Sequence, residues 1–332
     1  MALLGLPASP RLMPFALALA IAGCGAKPQA TSTSSAAAAP IQASAPSSAV
    51  PPPGDVLPAE KTGGFDGARA YAHVARLVEI GPRPPGSDGI KRAQQYIESE
   101  LESYGCRVES DDFGADTPAG RLAMKNLVVK IPGGSSKVVL LATHYDTLRM
   151  SDFVGADDGG SSTAVMLELA RILCKRENSL SIWIAFFDGE EALEKWSETD
   201  SRYGSRQMAA RLAASGDLQH IKAMLLADIV GNRNLRIKRE STSTRWLTDL
   251  VWSVAKRLGY GHVFVSDETS IEDDHDSFLK RGVAAADVID LENSVPYWHT
   301  TQDTLDKVSA RSLAIVGHVF LESVVELEKK FR

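Results

Sequence analysis

Apolar residues recur at helical intervals over residues 65–78 and 90–104, which predicts two helices. The Gly81-Pro-Arg-Pro-Pro-Gly-Ser87 run between them reads as a loop, since its prolines and glycines fit neither period. Lys137-Val-Val-Leu-Leu-Ala-Thr143 and Leu180-Ser-Ile-Trp-Ile-Ala-Phe-Phe187 are short apolar runs, the second rich in β-branched and aromatic side chains, and both read as buried strands. Residues 221–229 and 283–291 read the same way. Helical spacing returns over 162–175, 203–214, 244–258 and 309–331. Strands alternating with helices predict an α/β fold, a three-layer sandwich whose mixed, largely parallel sheet is covered by helices on both faces.

Upstream the pattern changes. An apolar stretch from Leu12 to Gly23 follows the single basic residue Arg11. It is shorter than the roughly 20 residues a spanning helix needs and fits the core of a secretory signal. It ends in Ile21-Ala22-Gly23-Cys24, which resembles the bacterial lipoprotein cleavage box and makes Cys24 the expected lipidation site. An ordinary cleaved signal with an incidental cysteine is the alternative. Residues 25–58 are Ala, Ser, Pro and Thr with few large apolar side chains, too little to offset ordering entropy, so they read as a flexible tether. The expected organisation is therefore a signal over 1–24, a tether over 25–58 and one α/β domain over 59–332. The protein is expected to be exported to the periplasm or cell surface and to meet a membrane only through its lipid.

The net charge of −6 and the lack of a dense basic stripe argue against a nucleic-acid surface. Three cysteines, Cys24, Cys106 and Cys174, are too few for a disulfide-dense scaffold or a cysteine-rich zinc ribbon. Nothing in the sequence argues for a Cys106–Cys174 bridge, so the pair is read as two buried free thiols.

The candidate chemistry lies where strands end. Strand 137–143 runs into His144-Tyr145-Asp146, strand 180–187 into Asp188-Gly189-Glu190-Glu191, and strand 221–227 into Asp228. Gly155-Ala-Asp-Asp158 precedes a helix, and His299 follows the last strand. In parallel sheets, active sites gather at the carboxyl ends of strands. A lone loop carboxylate is usually solvated, but five segments converging on one rim are not explained that way. Carboxylate and imidazole suit zinc, and an adjacent pair such as Glu190-Glu191 can divide metal binding from proton transfer.

His144-x-Asp146, Gly155-Ala-x-Asp158, Glu190-Glu191, Asp228 and His299 together resemble the co-catalytic zinc aminopeptidases. Phe186-Phe-Asp-Gly-Glu-Glu-Ala192, Trp196-Ser197, Asp200-Ser201, Tyr203-Gly-Ser-Arg206, Asp273-Asp274-His275 and Trp298-His299-Thr300 are similar, more narrowly, to the animal-type glutaminyl-peptide cyclotransferases. That resemblance covers most of residues 85–306. It implies a single zinc ion per chain held by Asp158, Glu191 and His299, and peptide substrates with N-terminal glutamine that cyclise to pyroglutamate with loss of ammonia. It also implies Glu190 as the proton shuttle, Asp228 and Asp273 as its acid partners, and Trp298 and Trp196 as pocket walls. A monomer is expected. His144 and Asp146 are either support for the site or part of a second metal site. Two departures stand out: the residues flanking Asp158 are closer to the two-zinc peptidases, and Asp287 stands where the animal enzymes carry a histidine. The rival reading on the same scaffold is a two-zinc aminopeptidase.

Overall fold

A computed structural model describes residues 49–332; the expected signal, Cys24 and most of the tether lie outside the described residues. Helices α1 (Gly67–Ile80) and α2 (Asp88–Ser103) come first, each opened by a side-chain cap. Asp66 accepts from the amides of Ala68 and Arg69, and Ser87 from that of Ile90. Strands β1 (Val108–Thr117), β2 (Gly120–Ile131) and β3 (Val138–His144) follow, then α3 (Gly160–Leu173), β4 (Ser181–Phe187), α4 (Tyr203–Ser215) and β5 (Ile221–Asp228). The chain ends with β6 (Ile237–Glu240), α5 (Arg245–Arg257), β7 (Phe264–Thr269), α6 (His275–Leu279), β8 (Ala285–Ile289), α7 (Leu291–Ser294) and α8 (Ala310–Phe331).

Six strands form one sheet in the order β1-β2-β4-β3-β5-β8, and β6 pairs with β7 in a small second sheet. β4, β3, β5 and β8 are parallel, while β1 and β2 add an antiparallel edge. Alternation along β3 separates the two faces. Val139 and Leu141 join the core under α1, α3 and α8, whereas Val138, Leu140 and Ala142 face α4 and α6. This is the expected three-layer α/β sandwich. From β3 the chain moves outward to β4 and then crosses back to β5 on the other side. A crevice therefore opens at the carboxyl ends of β3, β4 and β5, where the strand order reverses.

Two expectations change. No strand is predicted over 108–131, yet a long hairpin lies there. Its outer strand alternates exposed polar with partly buried residues, so no apolar run marks it. Cys106 and Cys174 are not free thiols: they form a disulfide joining the end of α2 to the end of α3. The two positions are 68 residues apart, and spacing alone could not show that two helix ends meet there.

Candidate active site

Parallel strands deliver His144, Glu190, Glu191 and Asp228 to one edge. Just past β3, Asp146 turns both carboxylate oxygens toward the next strand end: Oδ1 accepts from the Glu190 amide at 3.0 Å and Oδ2 from the Glu191 amide at 3.2 Å. A single buried carboxylate thus fixes the backbone of both neighbouring glutamates. Gly159, at φ +70°, lets the chain pass under this edge, since a Cβ there would lie 2.7 Å from the Asp146 carbonyl oxygen and 2.9 Å from the His144 ring.

The loop carrying Asp158 is clamped from two distant parts of the chain. Asp303 accepts from the amides of Asp157 and Asp158 at 2.8 and 3.0 Å. Arg83, fully buried, donates from Nε to the Tyr145 carbonyl at 2.7 Å and from its terminal nitrogens to the carbonyls of Val154 and Gly155 at 2.5 and 2.8 Å. Asp157 does not face the cluster: it accepts from the Gly231 amide and the Tyr297 hydroxyl. His299 reaches in from the other side at φ +53°, and Ile229, next to Asp228, sits at φ +46°. Left-handed backbone is costly for both residue types, above all for a β-branched one, and such strain gathers at functional sites.

His299 Nε2 lies 3.2 Å from Glu191 Oε1 and 3.4 Å from Asp158 Oδ2. Neither oxygen is aligned for a hydrogen bond, although both are buried. One donor atom each from Asp158, Glu191 and His299 falls within 4.8 Å of the others, and the same holds for His144, Asp158 and Asp228. Orphaned carboxylate oxygens turned toward an imidazole nitrogen in one cavity are what a three-ligand zinc site requires. The donor set therefore fits the metal.

The electrostatics agree. Burial alone would lower the His299 pKa, but Asp158 and Glu191 outweigh it and raise the imidazole to about 10. Burial would raise Asp158, yet His144 and His299 hold it well below the usual carboxylate range. Glu191 is pushed up to about 7 by burial and by the Asp158 charge, against the pull of His299. Glu190 rises well above an ordinary glutamate through burial and the charges of Glu191 and Asp273, which His144 only partly offsets. Asp228 is raised by burial, Asp273 strongly so by burial and the charges of Asp228 and Asp274, and Asp287 strongly so by burial and the charges of Asp273 and Asp228. His144 Nε2 bridges Asp228 at 3.0 Å and Asp158 at 3.3 Å.

These groups open onto a cavity of about 520 Å³. Leu148, Trp196, Ile229, Ile271, Leu291 and Trp298 supply its apolar wall, and Glu190, Asp228 and Asp273 its acidic floor. Trp298 stacks on His299 with centroids 4.0 Å apart, and Trp196 donates from Nε1 to Glu272 at 3.1 Å. Thus Asp158, Glu190, Glu191, Trp196, Asp228, Asp273, Trp298 and His299 share one cavity. His144 and Asp146 lie behind it, and Asp287 is buried with both oxygens unpartnered.

Sequence reasoning missed Arg83, Asp303 and Asp200. The Asp200 carboxylate accepts from the amides of Leu193, Glu194 and Lys195 at 2.8–2.9 Å and from the Tyr203 hydroxyl at 2.9 Å, folding the loop that presents Trp196. The available signals were an arginine among prolines and an aspartate inside the resembling stretch.

Residues 126–324 match peptidase family M28. A glutaminyl-peptide cyclotransferase-like protein of Bos taurus is 32% identical over 283 residues, covering 74% of this chain and 73% of its own. The solved glutaminyl cyclase of an Acidobacteriales bacterium is 42% identical with a TM-score of 0.76, covering 80% of this chain and 96% of its own. A Zn-dependent exopeptidase of Parabacteroides distasonis is 30% identical with a TM-score of 0.72, covering 78% and 98%. With this likeness in sequence and fold, the chain belongs to peptidase family M28, on the branch of the glutaminyl-peptide cyclotransferases.

Proposed function

We propose that this protein is a zinc-dependent glutaminyl-peptide cyclotransferase that closes an N-terminal glutamine to pyroglutamate. One observation carries the reading beyond the likeness to known cyclases. Of two adjacent glutamates, Glu191 turns to His299 and Asp158, while Glu190 lines the cavity beside them.

In this reading Asp158, Glu191 and His299 hold one zinc ion. When bound, the ion supplies Lewis-acid polarisation of the substrate's side-chain amide. The substrate's α-amine forms a bond to the amide carbon, and the carbon–nitrogen bond to the departing ammonia breaks. Glu190 takes the proton from the attacking amine and returns it to the leaving nitrogen, so no net proton is consumed. Burial and neighbouring acids bring Glu190 toward the range where a carboxyl can both accept and donate. Asp228 and Asp273, on the same floor, join Glu190 in an acid network. Trp298 and Trp196 exclude water, which would otherwise hydrolyse the amide to glutamate.

Ammonia release from a glutaminyl peptide, run against an aminoacyl-anilide, tests this. Ammonia without anilide cleavage supports it; anilide cleavage alone sinks it.

A second reading, a two-zinc aminopeptidase, is favoured by the second donor group of His144, Asp158 and Asp228 and by the exopeptidase neighbour. Two tightly bound zinc ions with amino-acid release would establish it instead. Export and lipidation at Cys24 belong to the same proposal, because a cleavage-box cysteine followed by a tether would hold the domain at a membrane surface. Cys24→Ala should move the protein from the membrane fraction to the soluble one.

A further inference from the structure

The cavity wall is acidic beyond what the proposed chemistry uses. Asp158 and Glu191 serve the metal, and Glu190, Asp228 and Asp273 the proton, which leaves Glu194 and Glu272 on the rim. Both are exposed. Glu194 follows β4, and Glu272 approaches from the loop before α6. The Trp196 indole ties the two loops together through its bond to Glu272.

No lysine or arginine lines this cavity among the described residues. Arg202 comes within 3.7 Å of Glu272, but it is buried, and its short contact, at 2.9 Å, is to Asp276. One arginine between two carboxylates leaves these three groups with one net negative charge. Arg149 and Lys195 are exposed beside lining residues without contributing to the wall. A substrate entering by its N-terminus would place the side chain after the glutamine at this rim.

We infer that the enzyme selects peptides with a cationic side chain directly after the N-terminal glutamine, through Glu194 and Glu272. This rests on the cyclase reading. Exposed charges several ångströms apart in water-rich surroundings act modestly, so a lysine peptide should exceed its glutamate counterpart by roughly five- to tenfold in kcat/KM at low salt. Screening should bring that ratio toward one as salt rises, whereas a steric preference would persist.

The test compares Gln-Lys, Gln-Ala and Gln-Glu peptides with the zinc-loaded enzyme at low and high ionic strength. It is repeated with the Glu194→Gln/Glu272→Gln variant, which keeps an oxygen acceptor for Trp196. The expected result is Lys above Ala above Glu, with the spread compressed by salt and by the variant. Equal rates for Lys and Glu while Gln-Ala is cyclised overturn the inference and leave the cyclase reading intact. A spread that ignores both salt and the variant overturns it too. No ammonia from any peptide, Gln-Ala included, sinks the cyclase reading and this inference with it.

Discussion

Glu190 and Glu191 are chain neighbours in divergent surroundings, and in the proposed mechanism that divergence would let one hold an ion while the other moves a proton. Glu190→Gln keeps the shape and removes the titrating group. It should cut kcat by about 10² to 10⁴ while zinc content by elemental analysis stays that of the parent. Zinc uptake should itself be pH-dependent. Without the ion His299 carries a proton up to about pH 10, held between two carboxylates, so the ion must displace it. Affinity should then rise about tenfold per pH unit between pH 7 and 9, and calorimetry in buffers of different ionisation heat should count at least one proton released. A pH-independent affinity would contradict this. In the metal-free protein the raised His299 contributes stability fully below its unfolded pKa of about 6.5, and loses it as pH rises toward 10. Glu190, Glu191 and Asp228 were legible in the sequence because each follows an apolar run that ends abruptly, whereas Asp158 stood before a helix, His299 beyond the last strand, and Asp273 only in the family resemblance. Arg83 and Asp303 were not, because they act on backbone carbonyls and amides of a loop far away in the chain, and such partners leave no pattern.

At the scale of elements, the buried parallel strands announced themselves as apolar runs, but the hairpin of β1 and β2 did not. A strand such as Val108-Glu-Ser-Asp-Asp-Phe-Gly114 at a sheet edge meets solvent, and its polar residues hide it. The cysteine pair was misread for a related reason: two helix ends meet only through the tertiary fold. Replacing both Cys106 and Cys174 with alanine reopens a span of 68 residues and should cost about 4 kcal/mol, seen as a lower denaturation midpoint in urea. An unchanged midpoint would show that the bridge adds nothing the packing lacks. The loop after β4 depends on one side chain. Asp200→Ala leaves three amides without their acceptor, so Trp196 should lose its fixed position. We expect KM for a glutaminyl peptide to rise several-fold, with a smaller change in thermal midpoint because the loop lies near the surface.

Among the described residues, contacts join segments far apart in the chain. Asp55 accepts from the Ser309 hydroxyl at 2.6 Å and the Ala310 amide at 2.9 Å, capping the first turn of α8 from the other end of the described chain. Asp55→Ala should therefore destabilise the fold by about 1 kcal/mol, measurable as a lower unfolding midpoint.

The clamp on the Asp158 loop has a kinetic meaning as well. Arg83 grips the loop from before the sheet begins and Asp303 from after it ends, so no partial fold assembles the three-donor cluster. During refolding, helical signal should return first and zinc capture last. The ion would then act as a proofreader, retained only by chains in which the segments of Arg83 and Asp303 have both docked.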